Sequence, residues 1–295
     1  MHAIWMVAAA FLFASMGVCV KFASSYFGAT EIVFYRGAIG VIFMLVLAHT
    51  RGISLRTSVP MMHVWRNVVG VAGVVAHFYG IGLLPLATAM TLNYMSGVWV
   101  ATFLIGGIIA MGKLTEIRRQ GPLVMAVLCA FIGVLMLLRP TIDQGQVFAG
   151  LVSLMSGLLA ALAYMQVAAL GRVGEPETRT VFYFSVASMV VGVGGMLMEG
   201  PSTLARIEAL WLLPMGVFAA LAQLCLTRAY SKGANMVVAN LQYSGVVFSA
   251  LYGLILFGDH LPLIGWAGMA LIVASAIAAT ALRARALPNA PNEDH

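Results

Sequence analysis

Residues 121–138 read GPLVMAVLCAFIGVLMLL, a stretch without a single charged side chain. A helix needs about 20 apolar residues to cross the hydrocarbon core of a bilayer. Charges, prolines and glycines divide the whole chain into ten stretches of this kind, which lie at 3–23, 31–49, 62–84, 87–111, 121–138, 147–170, 179–198, 207–229, 234–257 and 262–282. Because these runs are continuously apolar and do not alternate with polar residues, the sequence predicts an all-α, polytopic membrane protein with ten transmembrane helices.

The composition of the 295-residue chain agrees with a membrane-embedded protein. Hydrophobic residues make up 62% of it and charged residues only 9%, with a mean hydropathy of +0.98. A soluble domain carries about 25% charged residues, so this composition excludes a soluble globular protein. It equally excludes a disordered chain and a disulfide-stapled scaffold. The cysteines Cys19, Cys129 and Cys225 lie inside apolar runs, where we expect them to be small buried side chains.

Basic residues divide unequally between the two sides of the membrane. With ten spans, the connections that share a side with both termini carry twelve of the 16 Lys and Arg residues, and the opposite side carries Lys21, Arg139 and Arg206. Arg36 lies within the second span. The positive-inside rule therefore predicts cytoplasmic termini and a multi-pass protein of the inner cell membrane. This count assigns Arg66 to the connection between spans two and three.

The two halves of the chain resemble each other at a nearly constant offset. Phe34-Tyr35 recurs as Phe182-Tyr183, and Leu92-Asn93-Tyr94 resembles Leu241-Gln242-Tyr243, with offsets of 148 and 149 residues. Since each half has five spans, the second copy must insert upside down, as in many secondary transporters. The alternative is chance similarity between apolar sequences. We predict two inverted five-helix repeats, at 1–145 and 146–285, followed by a flexible cytoplasmic tail at 286–295.

Several short motifs carry a resemblance to a known family. They are Ala14-Ser15-Met16-Gly17 with Lys21, Glu31 with Phe34-Tyr35-Arg36, Tyr79 with Leu84-Pro85-Leu86, Phe257-Gly258-Asp259, and Trp266-Ala267-Gly268. In these motifs the chain resembles the ten-helix EamA type of the drug/metabolite transporter (DMT) superfamily, and within it the YddG exporters of aromatic amino acids and related metabolites. The resemblance implies a metabolite transporter in which spans five and ten lie at the periphery or support the bundle, and the other eight spans surround the cavity. Where the family often has Ser-Pro, this chain has Ser96-Gly97 and Ser244-Gly245.

Polar residues inside the spans are the candidates for substrate binding. The span centres contain no Asp or Glu, so we expect a neutral or zwitterionic, amphipathic substrate. Aromatic rings stack on flat solutes, and amides pair with amino or carboxyl groups. The alternative is that the amides join helices and that the tyrosines lie at the membrane interface. The candidate substrate-binding residues are His77, Tyr79, Asn93, Tyr94, Trp99, Tyr164, Asn240, Gln242 and Tyr243.

Two further groups of residues have alternative roles. His77 either couples the substrate to protons or donates a hydrogen bond between helices. Glu31, Tyr35 and Arg36 are candidates for a gating or structural role, with Arg36 either paired with Glu31 or bound to a substrate carboxylate. Small residues repeat at helical spacing and predict either ordinary close packing or sliding contacts. These are Gly37 with Gly40, Gly70 with Gly73, Gly192 with Gly195, and Ala270 with Ala274 and Ala278.

The sequence favours a secondary-active or facilitative transporter that exports small amphipathic metabolites by alternating access, with aromatic or other neutral amino acids as substrates. No GxxxxGK[ST] motif is present, so the chain itself has no P-loop for ATP. We expect no cofactor, no metal and no nucleic acid, and a monomer or weak homodimer in the lipid bilayer. The alternatives are an exporter of hydrophobic drugs or other metabolites, a channel or receptor, and an intramembrane enzyme. HExxH and GxSxG motifs, which would favour an enzyme, are absent.

Overall fold

The chain forms a bundle of α-helices. The computed structural model describes residues 4–24, 26–84, 86–112, 114–138, 144–200, 202, 207–256 and 262–285. The helices are α1 (Ile4–Ala23), α2 (Ala29–Thr50), α3 (Pro60–Leu83), α4 (Leu86–Tyr94), α5 (Ser96–Ala110), α6 (Leu114–Leu138), α7 (Val147–Arg172), α8 (Glu177–Glu199), α9 (Leu212–Lys232), α10 (Asn235–Leu241), α11 (Ser244–Leu256) and α12 (Leu263–Arg285). Short 3₁₀ helices at Gln144–Gln146 and Ile207–Trp211 precede α7 and α9.

Nine segments of the described chain are helical, long and apolar enough to cross a membrane. Two of these segments each contain a pair of helices, Ala89–Ala110 with α4 and α5 and Asn235–Leu256 with α10 and α11. The prediction of an all-helical, polytopic membrane protein is therefore confirmed. The third predicted span corresponds to α3, which is long enough but is not among the nine. Its four polar side chains explain its lower hydropathy: His63, Arg66, Asn67 and His77.

Some features of the sequence-based prediction lie outside the described residues. They are the tail at 286–295, the basic residues Lys113, Arg139 and Arg206, and the motif residues Pro85 and 257–259.

The most extensive helix packing joins the first half of the chain to the second. Helix α2 packs on α8, α3 on α7, α6 on α12, and α1 on α9. Each of these pairs contains one helix from before residue 145 and one from after it. The two halves therefore interleave in the bundle instead of packing as separate five-helix units.

Glycines bring the backbones of α2 and α8 together. A methyl group added at Gly192 would lie 2.6 Å from the Cα of Phe34, and one added at Gly37 would lie 2.8 Å from the Cα of Met189. Gly40 and Gly195 likewise contact Ser185 and Thr30. Close backbone approach increases van der Waals contact between helices, which is the main packing energy available in a membrane. The predicted glycine pairs of these two helices are thus helix-packing residues.

The alanine repeat of α12 does not lie between helices, where the sequence predicts it. Ala270, Ala274 and Ala278 are exposed on the outside of the bundle. Helix α12 instead packs on α6 through Gly268, where an added methyl would lie 2.6 Å from the carbonyl oxygen of Gly133. The prediction that the three alanines pack against another helix is wrong, because glycine permits the closer approach and turns the adjacent alanine face outward.

The α2–α8 contact gives a direct test of the fold. Gly192→Ala should lower the stability of the detergent-solubilised protein by about 1–3 kcal/mol, because the new methyl group meets backbone atoms that cannot rotate away. Gly194→Ala on the same helix is the matched control, since its added methyl would have no neighbour within 4 Å. Alanine also favours the helix more than glycine, so the control should melt at or above the wild-type temperature. Equal thermal unfolding midpoints for the two variants would contradict this packing.

Candidate substrate-binding site

Two membrane-spanning segments are each interrupted about a third of the way along their length. Helix α4 ends at Tyr94 and α5 begins at Ser96, while α10 ends at Leu241 and α11 begins at Ser244. At the second interruption the backbone tightens, because the amides of Tyr243, Gly245 and Val246 each donate to the carbonyl three residues earlier. Such 3₁₀ geometry changes the direction of side chains within a helix. Neither interruption contains proline, and each is followed by a Ser-Gly pair, Ser96-Gly97 or Ser244-Gly245.

The two interruptions contact each other through tyrosine and glycine. The hydroxyl of Tyr243 lies where the Cβ of a larger residue at position 97 would lie, so a side chain there would displace the tyrosine. In the reciprocal contact, a methyl added at Gly245 would lie 3.0 Å from the hydroxyl of Tyr94. The rings of Tyr94 and Tyr243 are themselves 6.1 Å apart. The four residues thus form one reciprocal contact at the centre of the bundle.

Buried amides connect these interruptions to the neighbouring helices. Gln242 donates from Nε2 to Oγ of Ser96 at 3.1 Å, and its Oε1 accepts from the hydroxyl of Tyr230 at 3.2 Å. Asn93 donates from Nδ2 to Oγ of Ser156 at 3.0 Å. Each such interhelical hydrogen bond contributes about 0.6–2 kcal/mol in a membrane. The described contacts of Gln242 and Asn93 therefore agree with the alternative in which the amides join helices.

Aromatic side chains surround the same region. The rings of Tyr164 and Tyr230 stack at 4.8 Å with an angle of 14° between their planes. Trp99 stacks on Phe103 at 6.2 Å, and its buried indole nitrogen has no hydrogen-bond partner in the described part of the chain. Because the indole N–H of a buried tryptophan usually finds a partner, this nitrogen is an available donor.

The structure brings four of the nine predicted substrate-binding residues into one connected group. Tyr94, Tyr164, Gln242 and Tyr243 contact one another directly or through Tyr230. Tyr79, in contrast, is 44% exposed and lies beside Phe148 in an apolar groove on the outside of the bundle.

Two other predicted residues have buried, unsatisfied polar atoms. Asn240 is fully buried, and neither atom of its amide has a hydrogen-bond partner among the described residues. His77 also has a buried Nδ1 without a partner there, and its ring lies 6.1 Å from that of Phe78. Both residues therefore keep hydrogen-bonding capacity that the described protein does not use.

Two arginines face one aromatic ring inside the bundle. The guanidinium carbon of Arg66 lies 3.8 Å from the centre of the Phe184 ring, and that of Arg36 lies 5.3 Å from it. Arg66 is only 2% exposed. An arginine costs about 2.5–3.5 kcal/mol at the very centre of a membrane helix, while a cation–π contact returns about 0.5–2 kcal/mol. The ring of Phe184 alone therefore does not compensate the buried charge of Arg66 and the partly buried charge of Arg36.

The position of Arg66 corrects the sequence-based topology count. Arg66 lies inside α3 and is buried, so it is not part of the connection between spans two and three. Without it, eleven basic residues remain on the side assigned to the termini, against three on the other side. Arg66 is also a site residue that sequence reasoning missed. Its position within a predicted span was the available signal, because intramembrane charges are usually functional.

A small cavity adjoins Arg36. It has a volume of about 10 Å³, which is close to the space that one water molecule needs. Ser185, Ser188 and Gln223 contribute polar groups to its wall, and Phe184 contributes its ring. A metabolite can enter this space only if the surrounding helices separate.

Glu31 links the beginning of α2 to the segment that follows α8. Its carboxylate accepts hydrogen bonds from the backbone amide of Gly28 at 3.0 Å and from the amide and hydroxyl of Ser202 at 2.6 and 2.8 Å. We refer to this contact between Glu31 and Ser202 as the Glu31 clasp. These partners replace the ion pair with Arg36 that was one of the two sequence-based alternatives. Tyr35 packs nearby against Phe27, with ring centres 6.1 Å apart.

A second polar contact joins the connection between α2 and α3 to the connection between α7 and α8. Glu175 accepts hydrogen bonds from Thr57 at 2.6 Å and from Arg179 at 2.8 Å, and Arg179 donates to the carbonyl of Ser54 at 2.7 Å. We refer to these four residues as the Glu175 clasp. Since Ser54 follows the C-terminus of α2 and Glu31 lies at its N-terminus, the two clasps lie at opposite ends of α2.

The ionisation of Glu175 depends on this contact. Burial alone would raise the pKa of its carboxyl, but the hydrogen bonds from Thr57 and Arg179 and the positive charge of Arg179 outweigh burial and lower the pKa below its ordinary value. The ionised carboxylate therefore stabilises the folded protein at neutral pH. This contribution is lost as the pH falls through the lowered pKa.

Comparison with known proteins identifies relatives along nearly the full length of the chain. No protein-family model matches it. The chain is 33% identical over 277 residues to the pseudopaline exporter CntI of Pseudomonas aeruginosa, with 92% of this chain and 93% of that protein covered. It is 26% identical over 274 residues to an uncharacterised transporter of Helicobacter pylori, covering 90% and 89% of the two chains. It is also 27% identical over 283 residues to a riboflavin transporter of Rhizobium johnstonii, covering 93% and 89%.

A solved crystal structure has the same fold. It superimposes with a TM-score of 0.78 over 95% of this chain and 98% of its own, at 17% sequence identity. At that level of identity the similarity concerns the fold alone.

The Glu175 clasp predicts a specific pH dependence. At pH 7, Glu175→Gln should destabilise the solubilised protein by about 1–3 kcal/mol, because it weakens charge-assisted hydrogen bonds. The difference between wild type and variant should shrink below about pH 4, where the wild-type carboxyl also becomes protonated. Thermal unfolding midpoints measured from pH 3 to pH 8 test this expectation. Glu177→Gln is the control, since Glu177 is 26% exposed and lies 3.7 Å from Lys232. A difference that does not change with pH would contradict the role given to Glu175.

Proposed function

The chain belongs to the family of membrane transporters that includes the pseudopaline exporter CntI, and we propose that it exports small amphipathic metabolites from the cytoplasm by alternating access. The observation that carries this proposal is the meeting of two interrupted helices around buried tyrosines and amides at the centre of the bundle. Interrupted helices that meet at mid-membrane are typical of the substrate sites of secondary transporters.

The proposed architecture has ten spans in two inverted repeats, as in the EamA type of the drug/metabolite transporter superfamily. The tenth span of this proposal is α3. The packing of helix pairs supports the repeat. In this repeat α1, α2, α3 and α6 correspond to α7, α8, α9 and α12, so the contact of α1 with α9 is equivalent to the contact of α7 with α3. The contacts of α2 with α8 and of α6 with α12 each join two equivalent helices, one from each half. A chance similarity of short motifs would not require this pattern of packing.

The clasps provide a second, independent support for the repeat. Glu31 and Arg179 are separated by 148 residues, and so are their partners Ser54 and Ser202. Glu31 accepts from the backbone amide of Ser202, whereas Arg179 donates to the backbone carbonyl of Ser54. This offset equals the one between Phe34-Tyr35 and Phe182-Tyr183. Equivalent positions thus make equivalent contacts with reversed hydrogen-bond polarity.

In the proposed mechanism the two clasps close opposite ends of the bundle. With the Glu175 clasp open, the centre would be accessible from the cytoplasm, where the positive-inside rule also puts both termini. With the Glu31 clasp open, the centre would be accessible from the other side of the inner membrane. Both clasps are formed in the described structure, which corresponds to a state closed at both ends.

The substrates that we propose first are aromatic or other neutral amino acids, as for the YddG exporters that the sequence resembles. Tyr94, Tyr164 and Tyr243 offer aromatic surface, and Trp99 offers both a ring and an N–H that has no partner among the described residues. The names of the relatives, a pseudopaline exporter and riboflavin transporters, support the broader class of small metabolites. The same names also favour a transporter over an intramembrane enzyme, which was one of the alternatives from the sequence.

Transport into proteoliposomes tests this function. Labelled tryptophan, phenylalanine and leucine should enter at rates that saturate with concentration, and unlabelled substrate on the opposite side should accelerate them. Parallel assays with and without an imposed pH gradient would measure proton coupling. A flux that rises linearly with concentration, without acceleration by counter-substrate, would contradict a carrier.

Trp99 provides the variant for the same assay. Trp99→Ala should lower the transport rate by about tenfold or more, because it removes a ring and a donor from the proposed site. Trp65→Ala is the matched control, since Trp65 is 54% exposed on the outside of α3. Equal transport by both variants, at equal amounts of folded protein, would exclude Trp99 from the substrate site.

A further inference from the structure

Arg36 and Arg66 form a positively charged pair inside the bundle. Both guanidinium groups face the ring of Phe184, and the two charges are close enough to repel each other. A pair of like charges in an apolar environment is unfavourable unless an anion lies between or beside them. The arrangement therefore calls for a negatively charged partner.

None of the described acidic side chains provides this partner. Three carboxylates have described side chains, and each is bound elsewhere: Glu31 to Ser202, Glu175 to Arg179, and Glu177 to Lys232. In the ranges that the structure covers, no ion pair includes Arg36 or Arg66. The negative charge is therefore not supplied by the described protein.

Part of the hydrogen-bonding capacity of Arg66 is also unused within the described residues. Its Nε and Nη1 atoms are buried and have no partner among the described residues. An arginine guanidinium presents donors in a planar fork that matches the two oxygens of a carboxylate. Beside Arg36, the buried hydroxyl of Ser188 is likewise without a described partner and lies in the wall of the small cavity. Charged and neutral donors thus converge on the same region.

We propose that Arg36 and Arg66 bind a carboxylate group of the transported metabolite, so that the transporter selects solutes with at least one carboxylate. This inference rests on the proposed export function and narrows its substrate class. It also changes the expectation from the sequence. The lack of acidic residues at the span centres disfavours cations, and the arginine pair favours anions or zwitterions over solutes without a carboxylate.

The remainder of such a solute would lie toward the aromatic residues. Tyr164 is within electrostatic range of both arginines, and it stacks on Tyr230, which donates to Gln242. A carboxylate held at the arginines would therefore have an apolar or aromatic body beside Tyr164. The site then recognises two ends of one amphipathic molecule.

Export by whole cells tests the substrate class, whichever metabolite is transported. Untargeted mass spectrometry would compare the medium of bacterial cells that produce the full chain with that of cells carrying an empty vector. The metabolites enriched by the wild-type protein should carry a carboxylate. Enriched metabolites without one would overturn this inference but leave the export function intact. No enrichment of any metabolite would instead contradict the export function, and with it this inference.

Substitution of Arg66 tests its role in the same cells. Arg66→Gln should lower the export of the enriched metabolites about 10- to 100-fold, because a charge-assisted hydrogen bond is lost. Arg66→Lys retains the charge without the planar fork and should keep part of the export. Unchanged export by Arg66→Gln, at equal protein in the membrane, would overturn the assignment.

Thermal unfolding of the purified protein separates binding from a structural role. Arg66→Gln removes a buried charge that has no described ion-pair partner, and the variant should melt at or above the wild-type temperature. Arg179→Gln is the matched control and should melt lower, because Arg179 has described partners in Glu175 and Ser54. Equal losses of stability in both variants would make Arg66 a structural residue and overturn the proposal.

Ligand protection completes this test. Millimolar benzoate should raise the unfolding temperature of the wild type more than its neutral isostere benzamide, and this difference should vanish in Arg66→Gln. Equal effects of benzoate and benzamide on the wild type would also overturn the proposal that the two arginines bind a carboxylate.

Discussion

Hydrocarbon offers no hydrogen-bonding partner to a polypeptide, and this constraint governs where the bundle can depart from helical geometry. Both helix interruptions lie inside the protein, where Ser96 accepts from Gln242 and the tyrosines pack on glycine. The outer surface of the bundle, by contrast, consists largely of continuous apolar helix, as the exposed valines and leucines of α2 and α3 illustrate. Irregular backbone and polar side chains are therefore concentrated at the centre, which makes the centre the place where a solute can be recognised.

The helices could be predicted from sequence because their apolar runs have the length of the membrane. The glycine contacts between α2 and α8 were also predictable from spacing, since small residues three apart lie near one another on a helix. The alanine repeat of α12 was not, because spacing does not tell which of two small faces meets a partner. Tyr79 shows the same limit. It lies about 200° around α3 from His77 at 100° per residue, so one of the two had to face outward.

The buried arginines were the least predictable feature. A basic residue early in a helix looks like a topology signal in a linear count, and such a count places Arg66 in a connection. Its role depends on a long side chain that reaches Phe184 on α8, a helix more than 100 residues away in the chain. The positive and negative charges nevertheless occupy different parts of the bundle. The described carboxylates bind at the ends of the bundle, while Arg36 and Arg66, which have no described ion-pair partner, lie within it.

The interleaved packing has a mechanical consequence. The most extensive helix contact, between α2 and α8, has close backbone approach at glycines and joins one helix from each half of the chain. A rotation of the first half against the second as rigid bodies would separate this contact and the α6–α12 contact together. Because packed glycine interfaces cannot stretch without losing their van der Waals energy, the units that move during any opening of the bundle must each combine helices from both halves. The two halves of the chain are consequently not the groups of helices that move against each other.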